Sequence, residues 1–207
     1  LFTSGSTSAI VNRSLTTQPV IKILNNDGSV NTSSTASVTA SITAGSGGTL
    51  GGTVTVAAVA GVVTFTDLKF TAGTLGTAYT ISYAASGYSS ITQTITVRTL
   101  PASISINTSA NSNGVFDGGY WYATSASAAT VINYLDSNLV GSSDIYLEAQ
   151  NGTIWIYNAI TKTDGSLSLI TSGTGSTGIQ VSGAVTLNGA GKTFSVKTPM
   201  AIGVASN

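Results

Sequence analysis

Apolar residues alternate with Ser, Thr and other small polar residues along most of the chain, in short runs broken by Gly, Asn, Asp and Pro. A period of two is the mark of a strand with one buried face, because successive side chains point to opposite sides. Before Pro101 this pattern predicts strands at 9–11, 19–24, 36–42, 53–58, 62–67, 78–85 and 89–97. One parity of these runs gathers Ile21, Ile23, Val38, Ile42, Val54, Val56, Val63, Phe65, Tyr79, Ile81, Tyr83, Ile95 and Val97, the candidate core. "NNDGS" after the second run is a turn, since Asn and Gly accept positive φ. Helical patterning is nearly absent. Its one candidate, "ASAATVINYL" at 126–135, carries Thr, Val and Ile, which argue against a helix. The prediction is an all-β chain.

Pro101 marks a change of style and the expected boundary between a domain at 1–100 and another at 101–207. Seven strands in the first hundred residues suggest an immunoglobulin-like β-sandwich without its disulfide or core Trp, and Tyr79 stands where a tyrosine corner belongs. Beyond Pro101 the pattern repeats. "IWIYNAITKTDGSLSL" from Ile154 aligns with "IQVSGAVTLNGAGKTFSV" from Ile179, matching Ile154 to Ile179, Ile156 to Val181, Ala159 to Ala184 and Ile160 to Val185. Two residues of slippage in the turn bring Leu167 and Leu169 onto Phe194 and Val196. A period of about 25 residues with glycine turns reads as a short right-handed β-solenoid. "DIYLEAQ" reads as the last strand of a preceding, less regular coil, and residues 116–138 as a first coil or cap. Two regular coils leave open strand edges, so the sandwich, a neighbouring subunit or missing coils are expected to cover at least one end.

Both halves carry a resemblance. "LTTQPVIKILNNDGSV", "GGTLGGTVTVAAVAGVVTFTDLKF" and "GTAYTISYAASGYSSITQTITV" resemble the immunoglobulin-like repeats of bacterial surface proteins of the invasin/intimin and giant-adhesin type, over residues 1–98. "NGTIWIYNAITKTDGSLSLIT" is similar to the coils of filamentous-haemagglutinin-type exoproteins, a likeness spanning residues 130–198. These resemblances imply spacer and binding modules with no catalytic residues to carry over.

Composition narrows the chemistry. Only 7% of the 207 residues are charged, with seven basic and seven acidic side chains, and there is no His or Cys. The bases (Arg13, Lys22, Lys69, Arg98, Lys162, Lys192 and Lys197) are scattered singly, so nothing forms the stripe that a nucleic-acid backbone requires. Of the acids, Asp27, Asp117 and Asp164 sit in Asp-Gly turns. Asp144 and Glu148, four apart on a strand, lie about 13 Å from each other, too far for a retaining glycosidase pair. No acidic cluster suits calcium, and "GSGGTLGG" at 45–52 lacks the Lys-Ser/Thr ending of a phosphate loop. No enzyme activity, metal or cofactor is expected. No apolar run reaches the length of a membrane span. The chain opens on Leu1, as a processed product or a fragment does.

What remains is the aromatics. Trp155 and Tyr157 occupy the parity opposite Ile154 and Ile156, so they are expected to face outward, with Tyr146 extending the same strip from the preceding strand. Tyr120, Trp121 and Tyr122 join them as candidate interface or glycan-binding residues. The expected protein is a non-enzymatic structural or adhesive module at the bacterial cell surface, part of a stalk, sheath or filament. Its expected partners are itself or neighbouring modules, joined by apolar and strand-edge contacts. The alternative is a carbohydrate-binding module that stacks a surface glycan on exposed aromatics.

Overall fold

The computed structural model describes residues 1–126, 128–172, 178–199 and 202–204. The chain is all-β and divides into two compact units, Leu1–Arg98 and Thr99–Asn207, each with its own apolar core.

The first unit contains β1 (Phe2–Ser4), β2 (Ser8–Ile10), β3 (Val20–Lys22), β4 (Ser37–Ala44) and β5 (Thr49–Gly51). It continues with β6 (Thr55–Ala57), β7 (Val62–Thr64), β8 (Lys69–Ala72), β9 (Ala78–Ala84) and β10 (Ile91–Arg98). Each of the seven predicted runs contains a strand. β1, β5 and β8 are short, and the alternation did not reveal them. The strands form a sheet of order β1-β3-β7, one of order β2-β10-β9-β4-β6, and the pair β5-β8. The predicted parity is the buried one: Val63, Tyr79, Ile81 and Ile95 are wholly buried, and Ile42, Val54 and Val56 pack at the margin. Full burial of a side chain such as Phe65 stabilises the unit by about 1.5–3 kcal/mol.

Tyr79 explains the glycine-rich stretch at 45–52. Its hydroxyl accepts from the Thr74 N–H at 2.8 Å and donates to the Ser46 carbonyl at 3.0 Å. A Cβ on Gly45 or Gly48 would overlap the Tyr79 ring, and Gly45 has φ +96°. Glycine here lets the loop close over the ring. We expect Tyr79→Phe to orphan both backbone groups and cost about 1–3 kcal/mol. A urea transition followed by circular dichroism checks this: its midpoint should fall with its slope unchanged.

The second unit is a β-solenoid of about three turns. Its elements are β11 (Ser103–Asn107), β12 (Gly114–Asp117), β13 (Tyr120–Ala123), β14 (Ala129–Asn133), the single helical turn α1 (Ser137–Val140), and β15 (Ile145–Gln150). There follow β16 (Thr153–Ile156), β17 (Ile160–Lys162), β18 (Leu167–Ser172), β19 (Gly178–Val181), β20 (Val185–Leu187), β21 (Phe194–Lys197) and β22 (Ile202–Val204). Strands of successive coils stack in parallel into three sheets, β12-β13-β15-β18-β21, β14-β11-β16-β19-β22 and β17-β20; within them only β12 runs antiparallel to its neighbour. The repeat read from the sequence is the register itself. Ile154 pairs with Ile179, Ile156 with Val181, Ile160 with Val185, Leu167 with Phe194 and Leu169 with Val196.

The N-terminal end of the solenoid is closed. β12 turns back antiparallel on β13, and the loop at 108–113 covers the outer edge of β14. There Ser112 exchanges both backbone hydrogen bonds with Val131, and the Asn111 side chain accepts from the Asn133 N–H at 2.6 Å. Asp136 caps α1 by accepting from the N–H groups of Asn138 and Leu139.

Candidate functional site

The "NG" pair Asn151–Gly152 turns the chain from one solenoid sheet to the next, with Asn151 at φ +66°. A Cβ on Gly152 would overlap the Ala102 carbonyl, so only glycine fits this corner. Beyond it β16 buries Thr153, Ile154 and Ile156 completely or nearly so and leaves Trp155 half-buried on the outer side. Trp155 is flanked in register by Ser105 and Gln180, both small or polar, so its ring stands above its row. Tyr157 follows at 53% exposure, its N–H donating to the Ile106 carbonyl at 3.0 Å. Trp155 thus takes the outward parity that the alternation predicted but is half-buried there, and Tyr157 is the exposed one of the two.

The other aromatics are arranged differently from expectation. Tyr146 lies before the Asn151–Gly152 corner on the neighbouring sheet, so it does not extend the Trp155 strip. It is half-buried and stacks on Tyr120, its register partner, with centroids 4.9 Å apart and planes at 16°. Tyr120 stacks in turn on Tyr122 at 5.9 Å. Trp121 and Tyr122 are each only 3% exposed and are not surface residues. Trp121 takes the inward parity of β13 and packs in the solenoid core, tilted against Phe116 at 5.8 Å. The physical reason is that "YWYA" is apolar on both parities, and the larger ring fills the end of the core.

Lys162, one of the scattered bases, is completely buried. Its ammonium donates to the carbonyls of Leu139 at 2.9 Å and Gly141 at 3.0 Å, groups that the end of α1 leaves without helical partners. Burial pushes its pKa below the ordinary lysine range, against the opposing fields of Asp144 and Asp164. A sequence signal existed: Lys162 stands in register with Leu187, an apolar position of the repeat.

Asp144, Glu148, Asp67 and Asp164 are occupied in holding coils and turns. Asp144 accepts from the Ser166 N–H at 2.7 Å, Glu148 accepts from the Ser172 hydroxyl at 3.1 Å, and Asp67 accepts from the Thr53 N–H at 2.8 Å. The Gly165 N–H at 2.7 Å, with Lys192 beside it, holds the Asp164 carboxyl below its ordinary range. Among the described residues no three acidic side chains gather as metal ligands, and no helix is long and apolar enough to cross a membrane. In the first unit a cleft of about 380 Å³ opens over Ile21, Ile23, Val38 and Tyr83, with Lys22 and Tyr88 among its other walls. Tyr83, at its floor, is bonded to the Gln93 side chain at 2.7 Å, and burial pushes its phenol upward. The cleft therefore has an apolar floor and a hydroxyl already engaged. No protein-family model matches the chain, and no curated protein matches it.

Proposed function

We propose that the chain is a non-enzymatic structural or adhesive module of a bacterial surface protein. In this reading the first unit is an immunoglobulin-like sandwich and the second a right-handed solenoid. The sheet orders β3-β7 and β2-β10-β9-β4 support the sandwich, as does the Tyr79 hydroxyl bound to backbone upstream of its own strand. Right-handed crossovers between parallel strands are the strong rule of protein topology. The observation that carries the function is a contrast. Asp144, Glu148 and the buried Lys162 hold coils together, while Trp155 faces outward between Ser105 and Gln180 and Tyr157 follows it, exposed.

Outward-facing Trp and Tyr are the residue types most often found as interface anchors, the best of which cost about 2 kcal/mol or more when truncated. The surface around Trp155 and Tyr157 is the contact with neighbouring modules of the cell-surface assembly. A second reading, carbohydrate binding, is favoured by Ser105 and Gln180 beside the Trp155 ring, since hydroxyl and amide groups next to an indole face suit a sugar.

The test is Trp155→Ala and Tyr157→Ala. Each variant should keep its β circular dichroism and lose at least about 30-fold in affinity for assembly beyond small oligomers. Electron microscopy of concentrated protein reads the first function, and a glycan array reads the second. Variants that assemble and bind glycans like the parent sink both.

A further inference from the structure

Three phenols meet on the outer side of β13 and β15. Tyr120 lies on Tyr146 with centroids 4.9 Å apart and planes at 16°, and Tyr122 continues the stack at 5.9 Å and 29°. Tyr79 and Tyr83, by contrast, pack against phenylalanine rings. Rings stacked in this way cover each other's faces, so the faces they share are closed to a sugar.

The stack spans a thin seam. One register pair, Tyr120 with Tyr146, joins β13 to β15, whereas six join β15 to β18 and four join β12 to β13. The Tyr146 N–H donates to the Gly119 carbonyl at 2.8 Å, and Gly119, at φ +87°, sits where a Cβ would meet the Asp144 carbonyl at 3.0 Å. On this sheet the β12–β13 hairpin is thus held to the coil by few backbone bonds and by two rings. Composition points oxidants at those rings. The chain has no Cys and a single Met, the sulfur side chains that oxidants ordinarily attack. Tyr120 and Tyr146 are half-buried and reachable from solvent, whereas Tyr122 is 3% exposed.

We propose that Tyr120 and Tyr146 form an oxidative crosslinking site, where a dityrosine bond staples the β12–β13 hairpin to the coil. This chemistry is independent of the adhesive role proposed above. A one-electron oxidant takes an electron from each phenol, and each hydroxyl proton leaves to water. The unpaired spin of a tyrosyl radical resides on its oxygen and on the ring carbons ortho to it. Two radicals in contact join through one ortho carbon each. Those carbons then lose their hydrogens as protons and the oxygens regain one proton each, which restores both aromatic rings. The net change is the loss of two electrons and two protons for one carbon–carbon bond. With peroxide as terminal oxidant, one peroxide becomes two waters. Combination within the chain outruns combination between chains because the partner ring is already in contact. The rival pair, Tyr120 with Tyr122, is more widely spaced and lies within one strand, so linking it would join nothing new.

The experiment irradiates dilute protein with tris(bipyridyl)ruthenium(II) and persulfate, a photochemical one-electron oxidant. The monomer, separated from multimers on a denaturing gel, should gain the blue fluorescence of dityrosine. Its digest should contain a peptide pair linking Tyr120 to Tyr146, lighter by two hydrogens than the sum of its parts. Tyr120→Phe and Tyr146→Phe each keep a ring in the stack, so each should retain its circular dichroism and lose the fluorescence. Tyr157→Phe, which alters a 53% exposed ring outside the stack, should keep the fluorescence. In the crosslinked monomer, proteolysis within 114–123 should slow on the order of 100-fold, because the link removes most of the freedom that an opened hairpin gains. A digest without the Tyr120–Tyr146 pair overturns the proposal. So does a link from Tyr120 to Tyr122 in its place, undiminished fluorescence in either stacked-ring variant, or a crosslinked hairpin that is cut as fast as before.

Discussion

Lys162→Ala is expected to destabilise the solenoid by roughly 2–4 kcal/mol, since each carbonyl left without its donor costs about 1–3 kcal/mol and loss of the buried ammonium returns part of its desolvation penalty. The buried carbonyl of Leu139 and the part-buried carbonyl of Gly141 lose their donor, and the methylene stem leaves a cavity. Both tryptophans, Trp121 and Trp155, lie in the second unit, so tryptophan fluorescence during urea unfolding reports on it selectively. That transition should move to much lower urea. The same residue gives a pH signature of definite sign. Its pKa is lowered by folding, so between the depressed folded value and the ordinary 10.5 the unfolded chain holds a proton that the folded chain has released. Stability then rises with pH across that window. A neutral amine still has two N–H groups for the two carbonyls, so deprotonation removes the burial cost without breaking the contacts. The parent should therefore gain stability in mild alkali relative to Lys162→Met. An Ala variant with an unmoved fluorescence transition would show that the lysine holds nothing.

Gly183→Ala is expected to cost about 3 kcal/mol, at the upper end for overpacking. Gly183 stacks against Asn158 of the previous coil, and an added Cβ would overlap the Asn158 carbonyl and the Ala159 nitrogen. These are backbone atoms fixed by the hydrogen bond from the Ile160 N–H to the Ala184 carbonyl and by the β17-β20 pairing, so no side-chain rotation relieves the overlap. The last coil should loosen first. Proteolysis within 178–199 should accelerate sharply while the first unit stays resistant. Equal proteolysis of parent and variant would mean that the coils are spaced more loosely than the contact implies.

The repeat was legible because apolar positions stacked in parallel must recur at one spacing. Matching Ile154 to Ile179 and Leu167 to Phe194 in sequence therefore reproduced the physical register. The core of the first unit was legible for a similar reason, since strict alternation leaves one parity to bury. Orientation failed where alternation carries no information. In "YWYA" both parities are apolar, and Trp121 and Tyr122, candidates for an interface or glycan surface, are buried within the chain. The Tyr146 error has a different cause. The "NG" of Asn151–Gly152 is a corner, so residues on either side of it belong to different sheets, and only the corner residues announce that. The Tyr120–Tyr146 stack follows from extending the repeat back by one coil, a step that the irregular spacing before Ile145 concealed. Burial of Lys162 became visible only through its register with Leu187.

One pairing in the first unit bears on load. β2 lies near the start of that unit and β10 at its end, yet they run side by side in parallel, with Ser8 against Thr96, Ala9 against Val97 and Ile10 against Arg98. Tension applied across the unit pulls these strands past each other along their length. All the backbone bonds between them then carry the force together, whereas a hairpin peeled from its open end gives them up one at a time. Rupture needs their concerted loss, with water excluded on the inner side by Ala9 and Val97. Pulled apart at its two ends, the first unit is therefore expected to extend slowly, because this clamp must give way as a whole.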